Sequence, residues 1–316
     1  MTGDRHLVKA AAVAVALCLL SQACSASPTP TSGTQPSATA PHAPRLIVLG
    51  DSTDGGRGLW SFEAPDRWTD VAPLPGATGI ARFGDGVAIS SGGSVELRSA
   101  AAPAASGSTL TMKWPVPPPK GQIVALAQSP HGKIAVATKD GESQGYWVIA
   151  ADGVLEPLKP APTQAFTPLV AWLDDSRLLV LTTDREQTSR LAVVDVVART
   201  IEPAVAMAGV RVFALSPDRR YLAAATETNI YAGPVAAFLS TGETETVAAV
   251  DPSAVVWGLA FDDPGMKLAM FSGRVAADGL VASARAIGYA RQPESWVKEF
   301  DSVAPLGKTL DQVWLP

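Results

Sequence analysis

The chain has 316 residues, of which 47% are hydrophobic and 17% charged, with 27 Gly and 26 Pro, a globular composition rich in turns. It excludes a disordered polymer, which needs low hydrophobicity and high net charge, and a multi-span transporter, which needs several apolar runs of about 20 residues. The net charge is −5 and no stretch clusters Lys and Arg, so the electrostatic footprint of a nucleic-acid binder is missing.

Residues 1–23 carry the three parts of an export signal: Arg5 and Lys9, the 11-residue uncharged run Ala10 to Leu20, then small residues around Ala23. A helix rising 1.5 Å per residue cannot cross a hydrocarbon core of about 30 Å with a run that short. The run therefore predicts processing rather than a membrane span. The segment Leu19-Leu20-Ser21-Gln22-Ala23-Cys24 resembles a bacterial lipoprotein signal. That resemblance implies lipidation of Cys24 as the mature N-terminus and an extracytoplasmic, membrane-anchored protein. The family pattern prefers an aliphatic residue where Ser21 stands, which leaves cleavage by an ordinary signal peptidase, and secretion, as the alternative.

Residues 24–44 follow as a Ser/Thr/Pro/Ala-rich linker with no charged side chain, too polar to bury a core. Twenty such residues at about 3.1 Å each reach roughly 60 Å, enough to hold a domain clear of a membrane. Loss of residues 1–23 removes Asp4, Arg5 and Lys9 and leaves a net charge of −6. Anionic lipid would then not attract the domain. The cysteines are Cys18 and Cys24, so residues 45–316 can form no disulfide and must be held by core burial.

From Arg45 onward one unit repeats: a short apolar strand, a tight turn, a second apolar strand, then a looser strand pair. The clearest copy runs from Val210 to Thr226 through the turn Ser216-Pro217-Asp218. Equivalent turns are Gly84-Asp85-Gly86, Ser129-Pro130-His131-Gly132, Asp174-Asp175-Ser176 and Asp262-Asp263-Pro264-Gly265. Their positions 86, 132, 176, 219 and 265 are spaced by 46, 44, 43 and 46 residues, the period of a four-stranded propeller blade. Ser216-Pro217 could open a helix, but Ile134 to Thr138 and Leu178 to Thr182 at the same place are short, partly β-branched and bounded by turns, which predicts strands.

The second half of each unit has its own hairpin. Pro65-Asp66-Arg67-Trp68 recurs as Pro293-Glu294-Ser295-Trp296, which points to Trp68 and Trp296 as packing residues. Thr309 to Pro316 reads as a first strand lacking its partner, and Arg45 to Gly50 as a second strand lacking its first. The predicted fold of 45–316 is all-β: a six-bladed β-propeller closed by pairing of its N- and C-terminal strands.

The Ser-Pro-Asp turn unit resembles the repeats of TolB-like and WD40-like bacterial propellers, and Leu59 to Gly76 resembles a kelch unit in rhythm. The Trp-Asp dipeptide of WD40 blades is absent and the kelch double glycine does not recur, so the resemblance implies a fold rather than an activity. Ser52-Thr53-Asp54-Gly55-Gly56-Arg57-Gly58-Leu59-Trp60 resembles an Asp-box of sialidase-like propellers, itself a turn structure away from the active face. The composition resembles that of a high-GC actinobacterial protein.

Chemistry is sparse. Of three histidines, His6 falls in the signal, His42 in the linker and His131 in a turn, too few for a histidine metal site or a Ser-His-Asp arrangement. No Gly-rich phosphate loop opens a helix. No catalytic residue, metal or cofactor is predicted. Propellers bind where the loops after each second strand converge. Here those loops carry Asp51, Asp54, Lys139, Asp140, Asp184, Arg185, Glu186, Glu227 and Arg274, a mixed ring that suits a sugar, a peptide or a cation, or is simply solvated.

The reading that follows is an interaction module whose partner is an envelope protein or a cell-surface polymer. A first alternative is a hydrolase or lyase acting on a glycan or lactone, which needs three of Asp51, Asp140, Asp184 and Glu227 within about 5 Å of one point. A second is a structural spacer or accessory subunit, with a channel lined by Ala and Val.

Overall fold

The computed structural model describes residues 45–315, apart from positions 85, 100–101, 104, 111, 113–120, 142, 150–152, 160–161, 163–168, 184–185, 187 and 276–280. Residues 1–44, on which the export-signal, Cys24 and linker readings fall, lie outside the described residues.

The first three strands are β1 (Arg45–Ser52), β2 (Arg57–Glu63) and β3 (Arg67–Pro73). The second blade takes β4 (Ala77–Phe83), β5 (Gly86–Ser91), β6 (Ser94–Ser99) and β7 (Ser108–Leu110). The third takes β8 (Gln122–Gln128), β9 (Ile134–Asp140), β10 (Ser143–Ile149) and β11 (Leu155–Pro157). The fourth takes β12 (Val170–Trp172), β13 (Arg177–Thr183), β14 (Ser189–Asp195) and β15 (Thr200–Ala208). The fifth takes β16 (Val212–Leu215), β17 (Tyr221–Ala225), β18 (Asn229–Pro234), the short helix α1 (Val235–Ser240) and β19 (Glu245–Ala249). The sixth takes β20 (Ala254–Phe261), β21 (Lys267–Val275), β22 (Val281–Arg291) and β23 (Trp296–Ala304), and the chain returns as β24 (Leu306–Leu315).

Each blade is a four-stranded antiparallel sheet, and the first has the order β24-β1-β2-β3. The fold is thus a six-bladed propeller in which the last strand supplies the inner edge of the first blade. Arg45 lies opposite Leu315 and Ile47 opposite Val313. The closure spares β1 an exposed edge of unpaired N–H and C=O groups.

The second strand of each blade explains the packing. Strand side chains alternate between two faces, and in a propeller both faces meet a neighbouring blade. Leu46 and Val48 enter the cluster shared with the sixth blade, which includes Phe271 and Phe300. Ile47 and Leu49, between them in sequence, enter the cluster shared with the second, with Ile80 and Val87. Leu178 and Val180 against Leu179 and Leu181 repeat the pattern between the third and fifth blades. Fully burying each such side chain is worth about 1.5–3 kcal/mol. This two-sided burial is why these strands read as unbroken apolar runs.

The tight turns between first and second strands share one hydrogen-bonding device. The N–H groups of Gly132, Arg219 and Gly265 donate to the carbonyls of Ser129, Ser216 and Asp262. The side-chain oxygen at the head of each turn then accepts main-chain N–H groups: Ser129 Oγ from Lys133, Ser216 Oγ from Arg220 and Tyr221, Asp262 Oδ1 from Met266 and Lys267. Ser, Asp and Pro recur at these positions because the turn needs an acceptor and a preset φ. The first-to-second and third-to-fourth strand turns lie on one face of the disc, here the hairpin face. The second-to-third turns and the links between blades lie on the other, the crossover face.

Trp68 and Trp296 both pack between blades. Trp68 stacks near Phe62 and Phe271, with centroids 4.8 and 6.0 Å away, and its Nε1 donates to Ser302 Oγ at 3.1 Å. Trp296 packs near Phe261 and donates to Glu245 of the fifth blade at 3.1 Å.

Candidate functional site

Two regions of the disc concern function: the crossover face, where the sequence places the polar loop residues, and the central channel with its rim on the hairpin face.

On the crossover face, Asp51 near the end of β1 accepts from Arg57 Nε at 2.8 Å, while Arg57 Nη1 donates to the carbonyl of Ala77 in the next blade. Asp54 sits in the following turn, bonded to Ser52 Oγ and to the N–H of Gly56. The Ser52 hydroxyl, followed by that N–H, holds its carboxyl below the usual range. The Asp-box-like segment is therefore a self-contained turn. Glu227 pairs with Arg211, and Arg274 with Asp251 at 2.9 Å. Bonds from the Ser253 side chain and N–H, then from Arg274, push the Asp251 carboxyl well down. Lys139 and Asp140 end β9 opposite Gln144 and Ser143. Glu186 lies in the turn before β14, and Asp184 and Arg185 lie outside the described residues.

These carboxylates are spread over different blades, and Asp51 and Glu227 each hold an arginine of their own. Among the described residues no three His, Cys, Asp or Glu side chains come together in a metal-holding group. The pairing of loop carboxylates with loop or linker arginines holds the connections of neighbouring strands in place and keeps the face mixed in sign.

The channel encloses about 430 Å³ between the inner strands and the hairpin face. Its described wall includes Ala81, Ala125, Ala127, Ala171, Ala214 and Ala260, from the inner strands of five blades. The spacer reading expects such a wall, though the rim is polar: Arg82, Gln128, Ser129, Ser216 and Arg219 border the same space. Trp172, 1% exposed, also borders it, and its buried indole N–H has no partner among the described residues.

The rim is tied across blades. Arg82 of β4 forms a two-pronged pair with Asp263 in the turn of the sixth blade, stepping over the first. The Gly84 N–H donates to Gln128 Oε1 at 2.9 Å, joining second and third blades. Ser129 Oγ donates to Asp175 at 2.6 Å and His131 also meets it, joining third and fourth. The Ser129 bond leads in holding the Asp175 carboxyl low, followed by those from His131.

Arg219 does most of this bridging. Its Nε donates to the Trp172 carbonyl at 3.1 Å, Nη1 to that of Pro217 and Nη2 to that of Gln128, both at 3.0 Å. One side chain so reaches from the fifth blade across the fourth to the third. Its φ is +60°, where the equivalent turn positions hold Gly132 at +86° and Gly265 at +67°. A side chain there costs about 1–2 kcal/mol, which the three hydrogen bonds offset. The sequence reading did not single out Arg82, Gln128 or Arg219. The available signal was an arginine standing where two other copies of the turn carry glycine.

No protein-family model matches the chain, and no curated protein matches it. Among solved structures the fold is similar to TolB from Acinetobacter baumannii, with TM-score 0.62 and 9% identity over 86% of this chain and 66% of that one. It is also similar to a TolB candidate from Agrobacterium tumefaciens, with TM-score 0.55 and 13% identity over 85% and 92%. This chain thus spans just under two thirds of the Acinetobacter protein's length. At such identities the likeness is one of fold.

Proposed function

We propose that the protein is an exported, lipid-anchored binding module that presents the crossover face of its propeller to another envelope protein or to a cell-surface polymer. The observation that carries this reading is the pairing of Arg45 with Leu315. In the first blade the two chain ends take the place of the hairpin turn. Arg45, the first described residue, thus stands on the hairpin face. The opposite face carries Asp51, Asp54, Lys139, Asp140, Glu227 and Arg274 in its turns and the strand ends beside them. Its mixture of paired charges suits a polar, specific contact better than a greasy one, since charge complementarity governs encounter and partner choice.

Catalysis on a glycan or lactone has less support. The acidic groups with lowered pKa are spent on arginine and on turn hydrogen bonds. Asp262, whose carboxyl burial raises, is committed to two main-chain N–H groups. Among the described residues no three His, Cys, Asp or Glu side chains come together in a metal-holding group.

The test is mild cross-linking and affinity capture from cells carrying tagged full-length protein. Three forms are compared with it: Cys24→Ala, the crossover-face reversals Asp140→Lys with Glu227→Lys, and the hairpin-face reversal Arg220→Glu. The reading expects a reproducible envelope partner that is lost in the crossover-face form, kept in the hairpin-face form and reduced on untethering. A partner indifferent to the crossover-face reversals would overturn it. Mass spectrometry of the mature N-terminus decides lipidation: a diacylated Cys24 supports the anchor, and an unmodified N-terminus beyond it overturns it.

A further inference from the structure

We infer that the channel is a binding site for a small anionic amphiphile, a carboxylate on a slender hydrocarbon body, seated with its head against Arg219 and its tail along the alanine wall. The inference rests on the hairpin side of the disc and is independent of the reading above, which concerns the other face.

The volume is right for such a ligand. The space of about 430 Å³ falls within the range of small-molecule sites, about 300–1,000 Å³, which are mostly apolar with a few placed polar groups. Its described apolar lining joins the alanines Ala81, Ala125, Ala127, Ala171, Ala214 and Ala260 to larger side chains such as Leu126, Val170 and Phe213.

The chemistry of the rim selects the head group. Arg82 is neutralised by Asp263. Arg219 is different: its guanidinium bonds three carbonyls, and among the described residues no carboxylate lies within ion-pair distance. Asp175 and Asp218 act on it through space, but each is bonded elsewhere, Asp175 to Ser129 and His131, Asp218 to Ser216. A guanidinium has five N–H groups, so one hydrogen on each Nη remains unspent. The Gln128 side-chain amide beside it accepts from Gly84, and its N–H₂ has no acceptor among the described residues. The rim so offers donors and one guanidinium without an ion-pair partner, which a single carboxylate would satisfy with charge-assisted hydrogen bonds. The three carbonyl hydrogen bonds that offset the unfavourable φ hold this guanidinium in place at the rim of the channel.

Calorimetric titration of the full-length protein with decanoate, decanol and decyltrimethylammonium tests the site. The expected result is saturable binding of decanoate at least tenfold tighter than decanol, with the cation weaker still. Arg219→Gln should remove that preference, weakening decanoate about tenfold and leaving decanol unchanged. Ala214→Leu, which narrows the channel without touching Arg219, should weaken decanoate and decanol together. Equal affinity for decanoate and decanol in the parent protein, which needs no variant, would overturn the inference. So would decanoate binding indifferent to both substitutions, or no saturable binding at millimolar concentration.

Discussion

Ile47 and Val313 stand opposite each other in the antiparallel register that joins the first strand of the domain to the last, 266 positions apart in sequence. Every other blade is made from consecutive strands, so this pair alone decides whether six sheets form a ring. Deleting residues 306–316 would bare the β1 edge and the Leu46 and Val48 face. We expect the truncated chain to lose cooperative unfolding and to aggregate, measured by thermal circular dichroism with light scattering. A monomer with an unchanged melting transition would contradict the closure.

The pair of Arg82 with Asp263 spans three blades on a part-exposed rim, with side-chain exposures of 26% and 41%. Exposed pairs are worth up to about 1 kcal/mol, and a two-pronged geometry favours the upper end. A double-mutant cycle with Arg82→Ala and Asp263→Ala should give a coupling of about 0.5–1 kcal/mol that shrinks in high salt. Additive losses would mean that the two side chains act independently.

Gly288 of β22 lies under Phe300 of β23, and a Cβ at position 288 would clash with the ring. Phe300 is 6% exposed and packs 4.9 Å from Phe62 across the interface of first and sixth blades. Gly288→Ala should cost about 1–3 kcal/mol by overpacking, and Phe300→Ala about 3–5 kcal/mol by the cavity left behind. The double variant should be less damaged than the sum, because the clash disappears with the ring. Denaturant melts of the three forms read this directly.

Asp174 heads the turn of the fourth blade. Burial would raise its pKa, but bonds from the Ser176 N–H and hydroxyl and from Arg177 hold it at about 2, against an ordinary 3.8. A depressed folded-state value means that the stabilisation is complete above the unfolded value and is lost as pH falls through about 2. The side chain is 38% exposed, so after solvent screening the effect is about 1 kcal/mol or less. Asp174→Asn should therefore be less stable than the parent at pH 6, and the two should converge as pH drops from about 4 to 2. A constant difference over that range would assign the effect to something other than the charge.

Much of the fold was legible along the chain because propeller blades are local. The spacing of the turns at 132, 176, 219 and 265 follows from each blade being built by consecutive strands. Strands such as Leu178 to Leu181 read as apolar throughout because both of their faces are covered. Even the closure showed as two half-units at the chain ends. The site was less legible. Positions of loop residues such as Asp51, Glu227 and Arg274 followed from the repeat, but their partners did not. Glu227 meets Arg211 and Arg274 meets Asp251 within single blades, because the antiparallel register of the first and second strands brings the start of one beside the end of the other, and the repeat pattern does not specify that register.

The sequence by itself determined the blade period, the number of blades, the residues of the turns and the strand faces, since each depends on neighbours within one repeat. Only the tertiary structure decided that Arg219 reaches over the fourth blade to Gln128, that Arg82 finds Asp263, and that the alanines of five inner strands leave a channel between them. Those relationships join residues from different repeats across the axis. They are fixed by how the twisted sheets pack around it, and no pattern within a single repeat records that packing.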